Sequence, residues 1–356
     1  MKKIKKFRKN IAVLFGGNST EYEVSLQSAY SILSVLENSD KYNIIRLGIT
    51  REGEWYRYNG PLEDIQTDNW RKNAEFLSPA LISPDRRVKG MIEFGKKGMK
   101  MTTLHGAFPV LHGKNGEDGT VQGLIELAGI PLIGCGTEAS ALCMDKDRAH
   151  KLVKEAGITV PRAILLTKAE KEEDLLKALG DLTCPLFVKP VKAGSSFGIT
   201  KVIRKEALME AVEAAFQHDT EVLIEENIDG FEVGCAIMGK EELLIGEVDE
   251  IQLTDGFFDY TEKYTLKSAV IHMPARINGE TRERIRKAAA LIYKTLGCKG
   301  FARVDMFLTT EGSIVFNEVN TIPGFTSHSR YPGMMKGIGL SYEEILDRLI
   351  GEELGL

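Results

Sequence analysis

Two short runs, Arg303-Val304-Asp305-Met306-Phe307 and Phe316-Asn317-Glu318-Val319-Asn320, flank the segment Thr309 to Ser313, whose Glu311-Gly312 pair suits a turn. Pairing symmetric about Glu311 and Gly312 predicts a hairpin with Asp305 opposite Glu318 and Arg303 opposite Asn320. Because alternate strand residues share a face, all four side chains then point the same way. Two facing carboxylates destabilise a hairpin unless something neutralises them, and carboxylate and amide oxygens are the hard donors that suit Mg²⁺. Arg303 adds a clamp for phosphate oxygens. An exposed hairpin with solvated acids is the ordinary alternative for such a pair. Asn320 and Arg303 on the same face, and the Gly324 turn beyond, favour the metal.

A nucleotide would need further parts. The chain has neither a G-x-x-x-x-G-K-[ST] loop nor a G-x-G-x-x-G fingerprint, which disfavours a P-loop enzyme. Lys189 instead ends the apolar run Leu186-Phe187-Val188, and Gly194-Ser195-Ser196-Phe197-Gly198 precedes a β-branched run. A strand, glycine-rich turn and strand can fold over phosphates and offer backbone N–H groups, with Lys189 as a point charge. The same loop matches G-x-S-x-G, placing Ser196 where a hydrolase nucleophile would stand; Ile199 to Ile203 favours a strand where that motif requires a helix. Val222-Leu223-Ile224 followed by Glu225-Glu226, with Glu232 beyond Gly230-Phe231, offers acids suited to an adenine amino group and ribose hydroxyls, or only a strand crossing a domain. His112 opens a glycine-rich loop, and a lone histidine there is more often structural than catalytic.

These residues need elements to hold them. Ile11 to Phe15 reads as a buried strand, Gly16-Gly17 as a turn, and Glu23 onward as a helix with apolar Val24, Ile32, Leu33 and Leu36; Thr20 and Glu23 have capping-box spacing. Strands are expected at Ile44 to Ile49, Gly106 to Leu111 and Ile130 to Gly134, with a helix at Gly119 to Leu127. This alternation predicts a doubly wound α/β domain over residues 1–135. A helix from Lys146 to Ala156 leads into short β runs around a helical Lys205 to His218, an α+β domain over 136–240. A third domain, 241–356, contains a glycine- and aromatic-rich loop at 254–265, a helix from Gly279 to Leu296, the hairpin and a terminal helix near Tyr342 to Ile350.

With 356 residues, two or three cores are expected. Forty-six basic and fifty-one acidic side chains leave a charge of −5, with no general attraction to nucleic acid or an anionic membrane. The opening MKKIKKFRKN is basic, but the apolar run behind it is too short for a signal-peptide core. Five scattered cysteines without C-x-x-C spacing argue against disulfides or structural zinc and for a reducing cytoplasm.

Nearly end to end, these motifs resemble the D-alanine:D-alanine ligases and their vancomycin-resistance relatives, members of the ATP-grasp superfamily. The resemblance rests on Gly16 to Ser25, on His112-Gly113 through Glu117-Asp118-Gly119, and on Met144-Asp145-Lys146. Lys189-Pro190 with Gly194-Ser195-Ser196, Glu262-Lys263-Tyr264, and Asn317-Glu318-Val319-Asn320-Thr321 through Pro323 to Ser329 complete it. It implies an ATP-grasp fold with an N-terminal α/β domain, a central ATP-binding domain and a C-terminal catalytic domain. It also implies a cytoplasmic homodimer serving peptidoglycan precursor synthesis and vancomycin resistance. Glu21 would hold the ammonium of the first D-alanine, linked to Ser195 and Tyr264. Lys146, Lys189 and Lys263, with Ser196 in the phosphate loop, would contact ATP, Glu225 the adenine and Glu232 the ribose. Asp305, Glu318 and Asn320 would ligate two Mg²⁺ ions, or Mn²⁺. Arg303 and the Gly324 N–H would stabilise the tetrahedral intermediate, Ser329 would bind the second substrate's carboxylate, and His112 would lie beside that substrate.

Lys263-Tyr264 points to an amine as nucleophile, since relatives that use D-lactate lack that pair. Ser329-Arg330-Tyr331-Pro332, with Phe257 to Tyr264, resembles the D-alanine:D-serine ligases, so Arg330 is expected near a pocket favouring a hydroxyl, or in a structural ion pair. An ordinary D-alanine:D-alanine ligase is the alternative.

Overall fold

The computed structural model describes residues 8–96, 98–168, 171–194, 197–253 and 269–356. The chain begins with β1 (Lys9–Gly16), α1 (Tyr22–Leu36), β2 (Tyr42–Ile49), β3 (Trp55–Tyr58), α2 (Glu63–Gln66), β4 (Leu77–Ile82), β5 (Gly90–Gly95), β6 (Gly98–Thr103), β7 (Gly106–Pro109) and α3 (Thr120–Leu127). These strands form a seven-stranded sheet in the order β6-β5-β4-β3-β2-β1-β7. Strand β1 pairs in parallel with β2 and β7, and its Ile11 to Phe15 are fully buried, as a strand covered on both faces requires. The α/β alternation is confined to this part; β3 to β6, for which no strands were expected, extend the sheet antiparallel.

Two local expectations fail here. Ile130 to Gly134 makes only a bridge through Ala107 and Leu132, since Pro131 has no N–H to extend a ladder. The capping box does not form: the residue capping α1 is Glu21, without a side-chain cap bond, and the Glu23 carboxylate turns to Arg51 at 2.5 Å.

Helices α4 (Thr137–Met144) and α5 (Lys146–Glu155) lead to β8 (Ala163–Leu166), α6 (Glu172–Leu179), β9 (Leu186–Pro190), β10 (Thr200–Val202), α7 (Leu208–Phe216) and β11 (Val222–Glu226), whose sheet order is β10-β9-β11-β8. Then follow β12 (Gly230–Met238), β13 (Leu244–Leu253), β14 (Ala269–His272), α8 (Gly279–Thr295), β15 (Phe301–Thr309), β16 (Ile314–Asn320), α9 (Arg330–Gly337) and α10 (Tyr342–Leu354), with a sheet ordered β14-β13-β12-β15-β16. Strand β12 thus hydrogen-bonds into this last sheet, ahead of the boundary expected at 240.

Hydrophobic cores follow a different partition. One cluster joins Phe15, Ile32 and Phe108 of the first part to Phe301, Phe325, Tyr331 and Leu349 of the last, with Phe108 and Phe301 edge to face at 5.8 Å. The small central sheet has its own cluster, including Val188, Leu208, Val212 and Ile224. Among the described residues, no helix is long and apolar enough to cross a membrane.

Candidate active site

Strands β15 and β16 form the expected hairpin, with Asp305 opposite Glu318 and Arg303 opposite Asn320. Symmetry about Glu311 and Gly312 does not persist to the turn. A bulge follows Asp305, so Met306 pairs with Phe316 and Asn317 is the extra residue. Asp305 is 1% exposed and chelated by Arg303, Nε to Oδ1 at 2.8 Å and Nη2 to Oδ2 at 2.7 Å. Asn320 Nδ2 donates to Asp305 Oδ2 at 2.8 Å. Burial disfavours the Arg303 charge, but Asp305 outweighs it and lifts the guanidinium above its ordinary value.

Opposite the hairpin stand elements of the first and second parts. Gly16, at φ +86°, turns the chain where a Cβ would meet the Ile49 carbonyl at 2.2 Å, and delivers Glu21 to the start of α1. A Cβ on Gly113 would come within 2.5 Å of Glu21 Oε2, and one on Gly194 within 2.7 Å, so the carboxylate lies in a cradle of two glycines from separate loops. Lys146, first in α5, donates to the Ala193 carbonyl at 2.8 Å and lies 3.8 Å from Glu318. Glu21, Glu117, Lys146, Gly194, Glu318 and Asn320 line one small cavity of about 30 Å³.

Adjoining it is a cavity of about 530 Å³, lined by Lys146, Lys189, Glu225, Glu232, Phe307 and Glu318 among others, a size suited to a nucleotide. Lys189 Nζ contacts Glu225 Oε2 at 2.5 Å in its wall. Burial opposes the Glu225 charge, but Lys189, His150 and Lys146 together outweigh it and hold the carboxyl below its ordinary value.

His112 is buried, and desolvation lowers its pKa, favouring the neutral ring. Its Nε2 is 3.2 Å from Ser28 Oγ, which accepts from the Phe325 N–H at 3.2 Å, next to Gly324. Ser329 lies at the N-terminus of α9, its hydroxyl 2.8 Å from Thr326 Oγ1 and accepting from Thr326 N–H at 3.0 Å. Arg330 is buried: Nε and Nη2 chelate Asp249 at 2.7 and 2.8 Å, Nη1 donates to Glu232 at 2.9 Å, and Nη2 lies 3.4 Å from Asp305. Burial works against its charge, and Asp249 and Asp305 prevail. Ser195, Ser196, Lys263, Tyr264 and the 254–265 loop lie outside the described residues.

Two participants escaped the sequence reading. Glu117 accepts from the Gly113 N–H at 2.9 Å and the Ile322 N–H at 3.1 Å, and burial, with Glu21 nearby, pushes its carboxyl up to about 8. Asp249 is 0% exposed, and only its pairing with Arg330, 81 positions away, marks it out. Glu117 could have been found from its place in the glycine-rich loop that His112 opens; no local signal distinguishes Asp249.

The donor set fits a divalent cation. Both Asp305 oxygens accept from Arg303, and Oδ2 also from Asn320; each carboxylate oxygen has a further lone pair, which with Glu318 and the Asn320 amide oxygen makes a hard oxygen donor set. No group of three His, Cys, Asp or Glu side chains gathers as a metal site among the described residues; the third donor here is an amide. Glu21 and Glu318 around one cavity, beside Lys146, also favour positively charged ligands.

Comparison with known proteins agrees. Residues 10–135 match the family model described as D-ala D-ala ligase N-terminus, and 152–351 its C-terminus. The chain is 45% identical over 346 residues to the vancomycin B-type resistance protein VanB of Enterococcus faecalis, covering 96% of this chain and 97% of that one. It is 45% identical over 343 residues to the vancomycin C-type resistance protein VanC1 of Enterococcus gallinarum, with the same coverage. The crystal structure of the VanG D-Ala:D-Ser ligase from Enterococcus faecalis superposes with a TM-score of 0.91 at 60% identity, over 98% of this chain and 100% of that one. The chain therefore belongs to the D-Ala-D-Ala ligase family, ATP-dependent ligases of the ATP-grasp fold.

Proposed function

We propose that the protein joins D-alanine to D-serine at the expense of ATP, through D-alanyl phosphate, for peptidoglycan precursors that give vancomycin resistance. The convergence of Glu21, Lys146, Glu318 and Asn320 on one cavity carries this reading. A carboxylate is a poor acyl donor, so its oxygen first attacks the γ-phosphate of ATP, releasing ADP, and the second amine then displaces phosphate. Glu21 grips the ammonium of D-alanine. Lys146 and Lys189 hold phosphates, with Lys263 and the Ser195-Ser196 loop; Glu225 and Glu232 face the base and ribose. Cations at Asp305, Glu318 and the Asn320 amide oxygen, two Mg²⁺ or Mn²⁺, would offset charge on the transferring phosphoryl group. Arg303 and the Gly324 N–H favour the later oxyanion. Ser329, at a helix N-terminus, receives the second substrate's carboxylate beside neutral His112. Tyr264 closes the 254–265 loop with Ser195 and Glu21 to exclude water.

D-Serine is favoured over D-alanine by the 60% identity to the VanG ligase; Arg330 is itself taken up in ion pairs with Asp249, Glu232 and Asp305, so its effect on the pocket would be to hold the neighbouring Ser329 in place. The hydrolase alternative is disfavoured, since the chain beyond the loop enters strand β10 where that motif requires a helix. A cytoplasmic homodimer completes the proposal. Competing equimolar D-serine and D-alanine for a limiting ATP supply near pH 7, with the dipeptides separated by mass, should yield mostly D-alanyl-D-serine. Predominance of D-alanyl-D-alanine refutes the specificity.

A further inference from the structure

Strand β16 is the outer strand of its sheet, so its outward backbone groups need partners from elsewhere. Phe316 N–H finds the Thr159 carbonyl at 2.8 Å. At the next residue, the bulge leaves Asn317 outside the ladder immediately before Glu318. Its carbonyl is met by His150 Nε2 at 2.8 Å, reaching over from α5. A carbonyl only accepts, so Nε2 bears the proton.

The imidazole is well placed to hold that position. His150 is 6% exposed, one helical turn after Lys146, and meets the Phe316 ring edge to face at 5.4 Å. Its Nδ1 lies 3.6 Å from Glu225 Oε1, and both atoms are buried without a hydrogen-bond partner among the described residues. One ring thus touches the helix of Lys146, the strand of Glu225 and the bulge that aims Glu318.

We propose that His150 is a positioning residue: its Nε2–H clamps the Asn317 carbonyl and so fixes the bulge that turns Glu318 toward the nucleotide and its divalent cation. The inference rests on the metal role proposed for Glu318. A bulge re-aims the side chains beside it, and partners that orient a metal ligand typically matter by about 10- to 100-fold in metal affinity.

The test compares His150→Leu, His150→Asn and His150→Gln, because only glutamine places an N–H donor near the position of Nε2. Calorimetry of ADP binding with and without Mg²⁺ reads the metal site apart from turnover; the Mg²⁺ dependence of D-alanine-dependent ATP consumption and the KM for D-alanine are measured alongside. Leucine and asparagine should weaken the Mg²⁺-dependent tightening of ADP about tenfold and raise the half-activating Mg²⁺ by a similar factor. The KM for D-alanine should stay within about twofold, and glutamine should restore both metal readouts to within about threefold. Should leucine fail to fold, the asparagine and glutamine pair decides. Unchanged Mg²⁺ dependence in the asparagine variant, or glutamine as impaired as asparagine, overturns the proposal. Glu318→Gln is the control: if it loses the Mg²⁺ effect while the His150 variants keep it, only the clamp is wrong, and if it too keeps the effect, the metal reading falls with it.

Discussion

At the scale of single residues, the site accumulates negative charge that folding alone does not need. Glu318 faces a cavity it shares with Glu21 and Glu117, and its cationic neighbour Lys146 is 3.8 Å away. Removing that charge relieves repulsion with Glu21 and loses a 3.8 Å pairing with Lys146, two effects of opposite sign, so stability is not the reason for the carboxylate. Glu318→Gln should lower D-alanine-dependent ATP turnover by about a hundredfold while leaving Tm within about 2 °C. A loss of Tm in step with activity would give Glu318 a structural role instead. Gly234 raises the opposite issue, one of space. A Cβ there would stand 2.3 Å from Arg330 Nη2 and 2.7 Å from Asp249 Oδ1, so the ion pair exists because β12 carries no side chain at that point. Gly234→Ala should cost about 1–3 kcal/mol through overpacking and shift the ratio of D-serine to D-alanine products toward D-alanine. A destabilised variant with an unchanged ratio would detach Arg330 from specificity.

At the scale of elements, Glu117 is a clip between the loop after β7 and the segment after β16, through the Gly113 and Ile322 N–H groups. Its ordinary value is 4.5 and its folded value about 8, because burial and Glu21 outweigh those two donors. Between these values the folded chain binds a proton that the unfolded chain has lost. The contribution is therefore complete below about pH 4.5 and disappears as pH rises through 8. Glu117→Gln should lose some stability everywhere, since an amide has one oxygen for two donors, yet its Tm should fall less steeply than wild type from pH 5 to 8. Parallel Tm slopes for the two proteins would mean that Glu117 does not titrate in this range. Legibility divides at the same scale. The hairpin could be read because its two strands are adjacent in sequence and its charged residues are in phase. The bulge could not, since its carbonyl partner, His150, lies 167 positions away. Strands β4 to β6 were hidden because an antiparallel ribbon with one exposed face has the polarity of a loop. The Arg330 network was half visible: the arginine stood out, but Asp249 is one acid among several in Glu247-Val248-Asp249-Glu250.

At the scale of the whole molecule, the cores decide which parts can move independently. The first and last parts share one hydrophobic cluster, in which Phe325 packs against Phe108 at 6.3 Å, Phe301 at 5.6 Å and Tyr331 at 5.4 Å. The sheet of β8 to β11 instead closes on α6 and α7 with residues that, among those described, all come from its own stretch of chain. That sheet also carries Lys189 and Glu225, so the nucleotide contacts proposed for them would sit on a unit with a core of its own. Elements with their own core open at their own free energy, below that of global unfolding. Leu208→Ala, a buried truncation costing about 2–5 kcal/mol, should therefore speed amide exchange in β8 to β11 and leave β1 and β15 protected. Phe325→Ala, costing about 3–5 kcal/mol, should expose β1 and β15 together. Saturating ADP with Mg²⁺ should reverse the first effect, because ligand bound at Lys189 and Glu225 stabilises only the closed sheet. Hydrogen exchange resolved by peptide separates the alternatives: if Leu208→Ala loosens β1 and β15 as much as β9 and β11, the chain unfolds as one unit, and the nucleotide cannot close one part of it upon another.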